Sequence, residues 1–462
     1  MTAAFPMSLS RPLGATGLSC HPLGFGCYRI AAGDQQHADA LDAYLDRGGN
    51  LIDTSANYMD GDSEVLVGQA LRRRPRSSVI VVTKGGYIQG RNMALARERN
   101  FPEVVRYADG LWHAIHPEFL ETQVRLSAER MQLDSIDVYL LHNPEYYLEH
   151  IAHRRPLEAS DHEEFYRRLR EAFRFLESEV EKGRIRWYGV SSNNYPLPAS
   201  AAAHTSVART LAAAESLSAD HHFRVVQFPL NLYEAGSALQ PANDGQTVLE
   251  FCRGKGIGTL ANRPLNAADQ NRLVRLADFA APGTQPSGPH KLRELLAPLA
   301  AHEEKLARGT QVGLMGHGLA ASLLDIVPRL TSAAQWEQVV YPHVIRPVQD
   351  WLGRCRQRLA GSPDWQPWEE EFARLLHAAL QEIQQFLAAI QQATSDRVRA
   401  RLAQAGYPPS GESLSRLALN VLLGLEGLTS TLVGMRRLDY VEDAMGAVAL
   451  DRVDSLGILK RF

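Results

Sequence analysis

What this chain lacks narrows it first. Only four cysteines occur in 462 residues, Cys20, Cys27, Cys252 and Cys355. They are widely spaced and form neither a CxxC nor a metal-type cluster, so free thiols in a reducing cytoplasm are expected. No uncharged apolar run approaches the ~18 residues that would suggest a membrane span. The N-terminal MTAAFPMSLSRPL has no basic region followed by an apolar core, so no signal peptide is expected. Charge of one sign is also scarce: a net charge of −3 gives no reason to expect nucleic acid or an anionic membrane as partner. The pairs His113/His116, His150/His153 and His221/His222 have no carboxylate or cysteine partner at ligand spacing, so no metal is expected. Finally, no GxGxxG opens the first helix, which weighs against a doubly wound dinucleotide fold.

What is present alternates. The composition, 45% hydrophobic and 22% charged, is ordinary for a globular protein, and the length suits one large barrel with an insertion or two to three domains. Arg11 to Leu23 reads as a hairpin about a Gly-Ala-Thr-Gly turn, and Gly24-Phe25-Gly26 ends the next strand. Short strand-like runs follow at Leu51-Ile52, Val79 to Val82, Ile136 to His142, Arg186 to Val190, Val225 to Phe228, Ile257 to Ala261 and Ser430 to Val433. Helical periodicity lies between them, near His37–Arg47, Glu64–Leu71, Pro117–Met131, Asp161–Lys182, Ala199–Ser216, Thr247–Lys255, Ser413–Leu423 and Leu438–Val448. Gly85 to His116 reads as a long polar and aromatic loop. Eight strand–helix pairs argue for a (β/α)8 TIM barrel with an N-terminal β-hairpin, interrupted after strand 7.

In a βαβ unit both strands run the same way, so Asp53 and Lys84 finish at one mouth with Tyr58 between them in sequence. A phenol has a reference pKa of about 10, and a neighbouring ammonium lowers it. Lys84, held by Asp53, is therefore expected to tune Tyr58 as a general acid toward a carbonyl oxygen. The competing reading is that such an Asp–Lys pair is structural or exposed. His142, Ser191, Gln227 and Gly434 lie at or just past other strand ends, where barrels carry their chemistry.

The segments GFGCYRI, IDTSANYMDGDSEVLVGQAL, VIVVTKGG, IDVYLLHNP, EKGRIRWYGVSS, VVQFPLNL and STLVGMRRLDYVEDA, in this order, resemble the aldo-keto reductase superfamily, whose members are NADPH-dependent barrel oxidoreductases. The resemblance implies a catalytic tetrad of Asp53, Tyr58, Lys84 and His142, with His142 orienting the carbonyl. It further implies cofactor contacts at Gly26, Ser191, Ser192, Gln227, Asn262, Gly434, Arg436, Arg437 and Asp443, where Ser192 replaces the family's usual asparagine. Gly434 to Arg437 precede a helix, an anion site by its backbone N–H groups, and two guanidinium groups there favour NADP(H) over NAD. Asn262 stands where the family usually carries an aromatic ring that stacks on nicotinamide; Tyr28 and Tyr233 are candidate substitutes.

Residues 267–411 have no counterpart in that resemblance. They read as a helical insertion subdomain, with the barrel formed by 1–266 and 412–462. Pro282, Gly283, Pro286, Gly288 and Pro289 mark its start. Trp336, Tyr341, Trp351, Trp365 and Trp368 are expected to pack within it. Trp112, His113 and His116 are expected to shape a substrate entrance. The expected function is NADPH-dependent reduction of an aldehyde or ketone, sugar-derived carbonyls included. The alternative is an NADP-binding sensor whose insertion docks a partner protein or a second copy of the chain.

Overall fold

The computed structural model describes residues 10–269, 272–280, 289–309, 315–330 and 332–462. Eight parallel strands close a barrel: β1 (Leu23–Gly26), β2 (Leu51–Asp53), β3 (Ile80–Gly85), β4 (Ile136–His142), β5 (Ile185–Ser191), β6 (Phe223–Pro229), β7 (Gly258–Asn262) and β8 (Ser430–Val433). Each is hydrogen-bonded to its sequence neighbours, and β8 closes the ring on β1 through Val433 opposite Phe25. The helices between them are α1 (Gln35–Asp46), α2 (Asp62–Leu71), α3 (Pro117–Met131), α4 (Ala159–Glu181), α5 (Val207–Glu215), α6 (Val248–Lys255), α7 (Leu414–Leu423) and α8 (Leu438–Gly446). The expected (β/α)8 barrel with a large helical region is what the chain adopts.

The barrel interior follows from the strand period of two. Leu51, Val82, Leu140, Val225, Leu260 and Leu432 form one buried apolar cluster. Two residues further along the same strands stand Asp53, Lys84, His142, Gln227, Asn262 and Gly434. The apolar layer therefore seals the barrel beneath a polar layer at its carboxyl end. The hairpin Arg11–Pro12 with Ser19–Cys20 closes the opposite end and contributes Leu13 and Cys20 to the same cluster. Gly14, at φ +54, sits so close that an added Cβ would lie 2.4 Å from the Gly258 nitrogen. A side chain there would push the plug away from β7.

Two sequence expectations differ from the structure. The stretch from Gly85 to His116 is not a plain loop: Tyr87–Ile88, Val105–Ala108 and Leu111–His113 form a three-stranded antiparallel sheet, and Arg91–Arg99 is helical. The helix expected from Ala199 starts only at Val207, because Ser206 caps it with Oγ accepting from the Arg209 N–H.

The chain divides into two compact units, one of residues up to Leu276 with Leu402–Phe462, the other Ala277–Arg401. The antiparallel hairpin Asn266–Asp269 with Arg272–Arg275 falls in the first. Pro282, Gly283, Pro286 and Gly288 lie outside the described residues, and Pro289 opens a helix to Gly309. Further helices are Leu319–Ile326, Ala333–Val340, Arg346–Arg358 and Trp365–Gln404. The second unit has its own core, in which Trp336, Trp351 and Trp365 are buried with Leu296, Phe372 and Ile383. Trp368 stacks on His302 at 4.9 Å, and each ring donates to or meets the other residue's carbonyl. Tyr341 departs from the expected packing and is 61% exposed.

Candidate active site

Lys84, the penultimate residue of β3, is fully buried, an arrangement that needs an opposing charge and hydrogen bonds. Its ammonium donates to Asp53 Oδ2 at 2.8 Å, to the Thr54 carbonyl at 2.9 Å and to the Tyr58 hydroxyl at 3.3 Å. Nζ also lies 4.8 Å from the centre of the Tyr58 ring. Burial alone would lower the Lys84 pKa, yet the Asp53 carboxylate and the Tyr58 oxygen raise it above the ordinary value, so the ammonium persists. Burial pushes Asp53 upward, while Lys84 and a hydrogen bond from Gln227 pull it back.

Tyr58 behaves differently from the sequence expectation. Burial raises its pKa, Lys84 pulls it down, Asp53 pushes it up, and the net direction is upward. The ammonium limits the rise rather than producing a depressed value. The phenol is consequently protonated at neutral pH, the form a general acid requires. The backbone after it is unusual: Met59, Asp60 and Gly61 all take positive φ (48, 55 and 94). Two non-glycine residues in that region store strain. Asp60 Oδ1 accepts from the Arg91 N–H at 2.9 Å, which anchors this turn to the Gly85–His116 excursion.

His142 ends β4 with its ring centroid 5.9 Å from that of Tyr58. Nδ1 meets the Ser55 hydroxyl at 3.0 Å. Burial, the Lys84 charge and His113 together hold its pKa well below the ordinary value, so the imidazole is neutral. Around it stand residues that the sequence reading did not assign: Ser55, Tyr87 (ring centroids 4.6 Å apart) and Asn143, whose Nδ2 donates to the Tyr87 hydroxyl at 2.8 Å. Asn143 has φ +51 directly after a strand, and that conformation has no signature beyond the asparagine itself. His113 is not an entrance residue. It is buried, neutral with its pKa lowered to about 4, and its Nε2 contacts the His142 carbonyl oxygen at 2.7 Å. His116 caps α3, and Trp112 packs under Arg106.

On the other side of Asp53 runs a hydrogen-bond chain. Gln227 Nε2 donates to Asp53 Oδ1 at 2.8 Å, and Gln227 Oε1 accepts from Ser191 Oγ at 3.2 Å and Asn262 Nδ2 at 3.3 Å. Register aligns this set, with Ser191 opposite both His142 and Gln227, and Gly26 opposite Asp53. Ser192 does not join it; its hydroxyl pairs with Thr205 at 2.9 Å and accepts from the Asn194 N–H.

The remaining positions follow β8. Gly434 is exposed, and a Cβ there would meet nothing within 4 Å. Arg437 caps α8 and pairs with Asp439 at 2.7 Å, its guanidinium 4.8 Å from the Tyr440 ring centre. Arg436 is half-buried beside it. Asp443 is engaged by Ser413 Oγ at 2.6 Å, by Ser415 and by Arg416. Of the candidate rings, Tyr28 lies edge-on to Tyr58 at 5.4 Å, and Tyr233 packs on Phe462.

The barrel places a lysine–carboxylate–phenol cluster at the carboxyl end of its strands, and comparison with known proteins identifies the lineage. Residues 22–274 match the model of the Aldo/keto reductase family, and the chain belongs to that family. It is 34% identical over 139 residues to the NADH-specific methylglyoxal reductase of Escherichia coli, covering 28% of this chain and 40% of that protein. It is 28% identical over 193 residues to the 6-dehydroglucose reductase of Novosphingobium aromaticivorans, covering 39% and 51% respectively. The matches thus span about half the length of these curated relatives. An aldo-keto reductase from Bacillus halodurans, solved in its holo form, shares the fold with a TM-score of 0.50 at 15% identity, over 98% of this chain and 95% of that one.

Proposed function

We propose that this chain is an NADPH-dependent oxidoreductase that reduces an aldehyde or ketone, sugar-derived carbonyls included. The observation that carries the proposal is the buried Lys84 ammonium bridging Asp53 and the Tyr58 hydroxyl. The residues present suit a nicotinamide cofactor, because a buried amide oxygen of Asn262 has no partner and the space at Gly434 is open. When bound, the reduced nicotinamide supplies the hydride. Tyr58 gives its proton to the carbonyl oxygen, and Lys84 stabilises the phenolate left behind. Asp53 fixes the ammonium against displacement. Neutral His142, held by Ser55 and by the His113 contact at its carbonyl, orients the substrate oxygen next to Tyr58. Arg436 and Arg437 at the start of α8 favour a cofactor with a 2′-phosphate. The NADH specificity of the Escherichia coli relative makes this the point to test first.

The test follows NADPH and NADH oxidation across aldehydes, ketones, methylglyoxal and oxidised sugars, with Tyr58→Phe in parallel. Turnover with NADPH that falls about 10²- to 10⁴-fold in the variant is expected. Unchanged turnover in Tyr58→Phe removes the proposed acid. Cofactor binding without turnover of any carbonyl points instead to a cofactor-binding sensor.

A further inference from the structure

Asn262 is placed with its amide oxygen buried and without a hydrogen-bond partner. Leaving such an acceptor unmade costs about 1–3 kcal/mol, so its orientation needs a cause. The cause is the chain that starts at the ion pair. Asp53 Oδ1 only accepts, so it takes the Gln227 N–H. That turns Gln227 Oε1 toward Ser191 and Asn262, and Oε1 then demands the Asn262 N–H at 3.3 Å. Flipping Asn262 would bring two amide oxygens together. The backbone is fixed as well: Leu230 N–H donates to the Asn262 carbonyl at 3.2 Å, and the next residue, Arg263, is held at φ +52 with its carbonyl accepting from Asn231. The orphan oxygen therefore persists because Lys84 and Asp53 hold it, one link removed.

The same chain leaves a donor beside the acceptor. Gln227 Nε2 carries two protons, and only the one given to Asp53 is committed. Its oxygen is filled by two donors. An orphan acceptor on Asn262 and a spare donor on Gln227 match a primary carboxamide, which offers an NH2 donor and a carbonyl acceptor.

We propose that Asn262 is a polar anchor for the nicotinamide carboxamide, its Oδ1 accepting from the carboxamide NH2, in place of recognition by a stacked ring. The assignment rests on the cofactor reading above and specifies which group of the cofactor this position reads. Gln227 is a positioning residue for Asn262 as well as a contact. A ring at position 262 would grip any pyridine face, whereas an amide oxygen discriminates by the ring substituent.

The experiment is calorimetric titration of the full chain with NADPH, with its 3-acetylpyridine counterpart and with 2′-phospho-ADP-ribose. The acetyl group keeps the carbonyl and replaces NH2 by CH3. The wild type is expected to bind the carboxamide form about 3- to 10-fold more tightly than the acetyl form, the worth of one neutral hydrogen bond. Asn262→Leu should bind both alike while retaining 2′-phospho-ADP-ribose, which shows that the fold and the adenosine end are intact. If Asn262→Leu loses 2′-phospho-ADP-ribose, Asn262→Ala is read by the same criteria. Equal binding of the two forms by the wild type overturns the inference, as does a preference that survives in the variant. Both results leave the cofactor reading standing. Failure of the wild type to bind NADPH at all overturns the cofactor reading and this inference together.

Discussion

Lys84 has two duties that a single substitution confuses. It balances a buried carboxylate, and it faces the phenol. Removing one member of a buried ion pair leaves the other uncompensated, at a cost of about 3–5 kcal/mol, whereas replacing both is often close to neutral. Lys84→Met is therefore expected to lower stability by that amount and to abolish turnover. Asp53→Asn combined with Lys84→Met should recover most of the stability without recovering turnover. Urea denaturation beside a kinetic assay reads both quantities. A Lys84→Met protein as stable as the wild type would show that the pair is not ionised in the fold. The meeting of Asp53 with Lys84 was legible from sequence because strand direction alone sends both to one end. The upward direction for Tyr58 was not, because it depends on burial, which no spacing reports. His113 was misread for the same reason, since nothing local distinguishes a buried histidine from one at a rim.

At the scale of elements, the segments after β4 and β5 are tied by two carboxyl groups. Glu145 follows the His142-Asn143-Pro144 turn, is buried, and accepts the Asn193 N–H at 2.6 Å through Oε1, while Glu149 nearby receives Asn194 Nδ2 at 3.3 Å. Burial pushes the Glu145 carboxyl up to about 8, with the backbone N–H groups opposing and Glu149 adding to the rise. A raised folded-state value means the native protein holds the proton more tightly than the unfolded chain. The resulting stability is complete below about pH 4.5 and is lost as pH rises through about 8. Glu145→Gln keeps the acceptor and removes the titration. Its stability relative to the wild type should thus improve by a few kcal/mol between pH 5 and pH 8, read from denaturation midpoints. A constant difference across that range would show that Glu145 is already ionised in the fold. Strand existence was readable because apolar runs such as IDVYLLH have few other readings. The sheet made by Tyr87–Ile88, Val105–Ala108 and Leu111–His113 was not, since each strand is two to four residues long and Tyr87–Ile88 pairs with a non-adjacent partner. The alanine-rich stretch 199–203 suggested an early helix, but the Ser206 cap decided where it begins.

Over the whole molecule, chain order and packing divide the protein in different ways. The barrel is assembled from two stretches separated in sequence, whereas Ala277–Arg401 is continuous and has its own apolar core. The helical character of the latter was legible in three- and four-residue apolar steps. Its role was not, because helical periodicity reports burial and says nothing about what a surface binds. Each unit with its own core is a candidate cooperative unit, so heating should resolve two transitions rather than one. The cofactor provides the assignment. A ligand at about 100 times its Kd stabilises the form that binds it by about 2.7 kcal/mol. NADPH should therefore move the barrel transition upward by a few degrees and leave the other in place, as read by differential scanning calorimetry. In the same scan, Lys84→Met should lower the transition that NADPH raises. A single transition displaced as a whole by both perturbations would mean that the helical unit and the barrel unfold as one body.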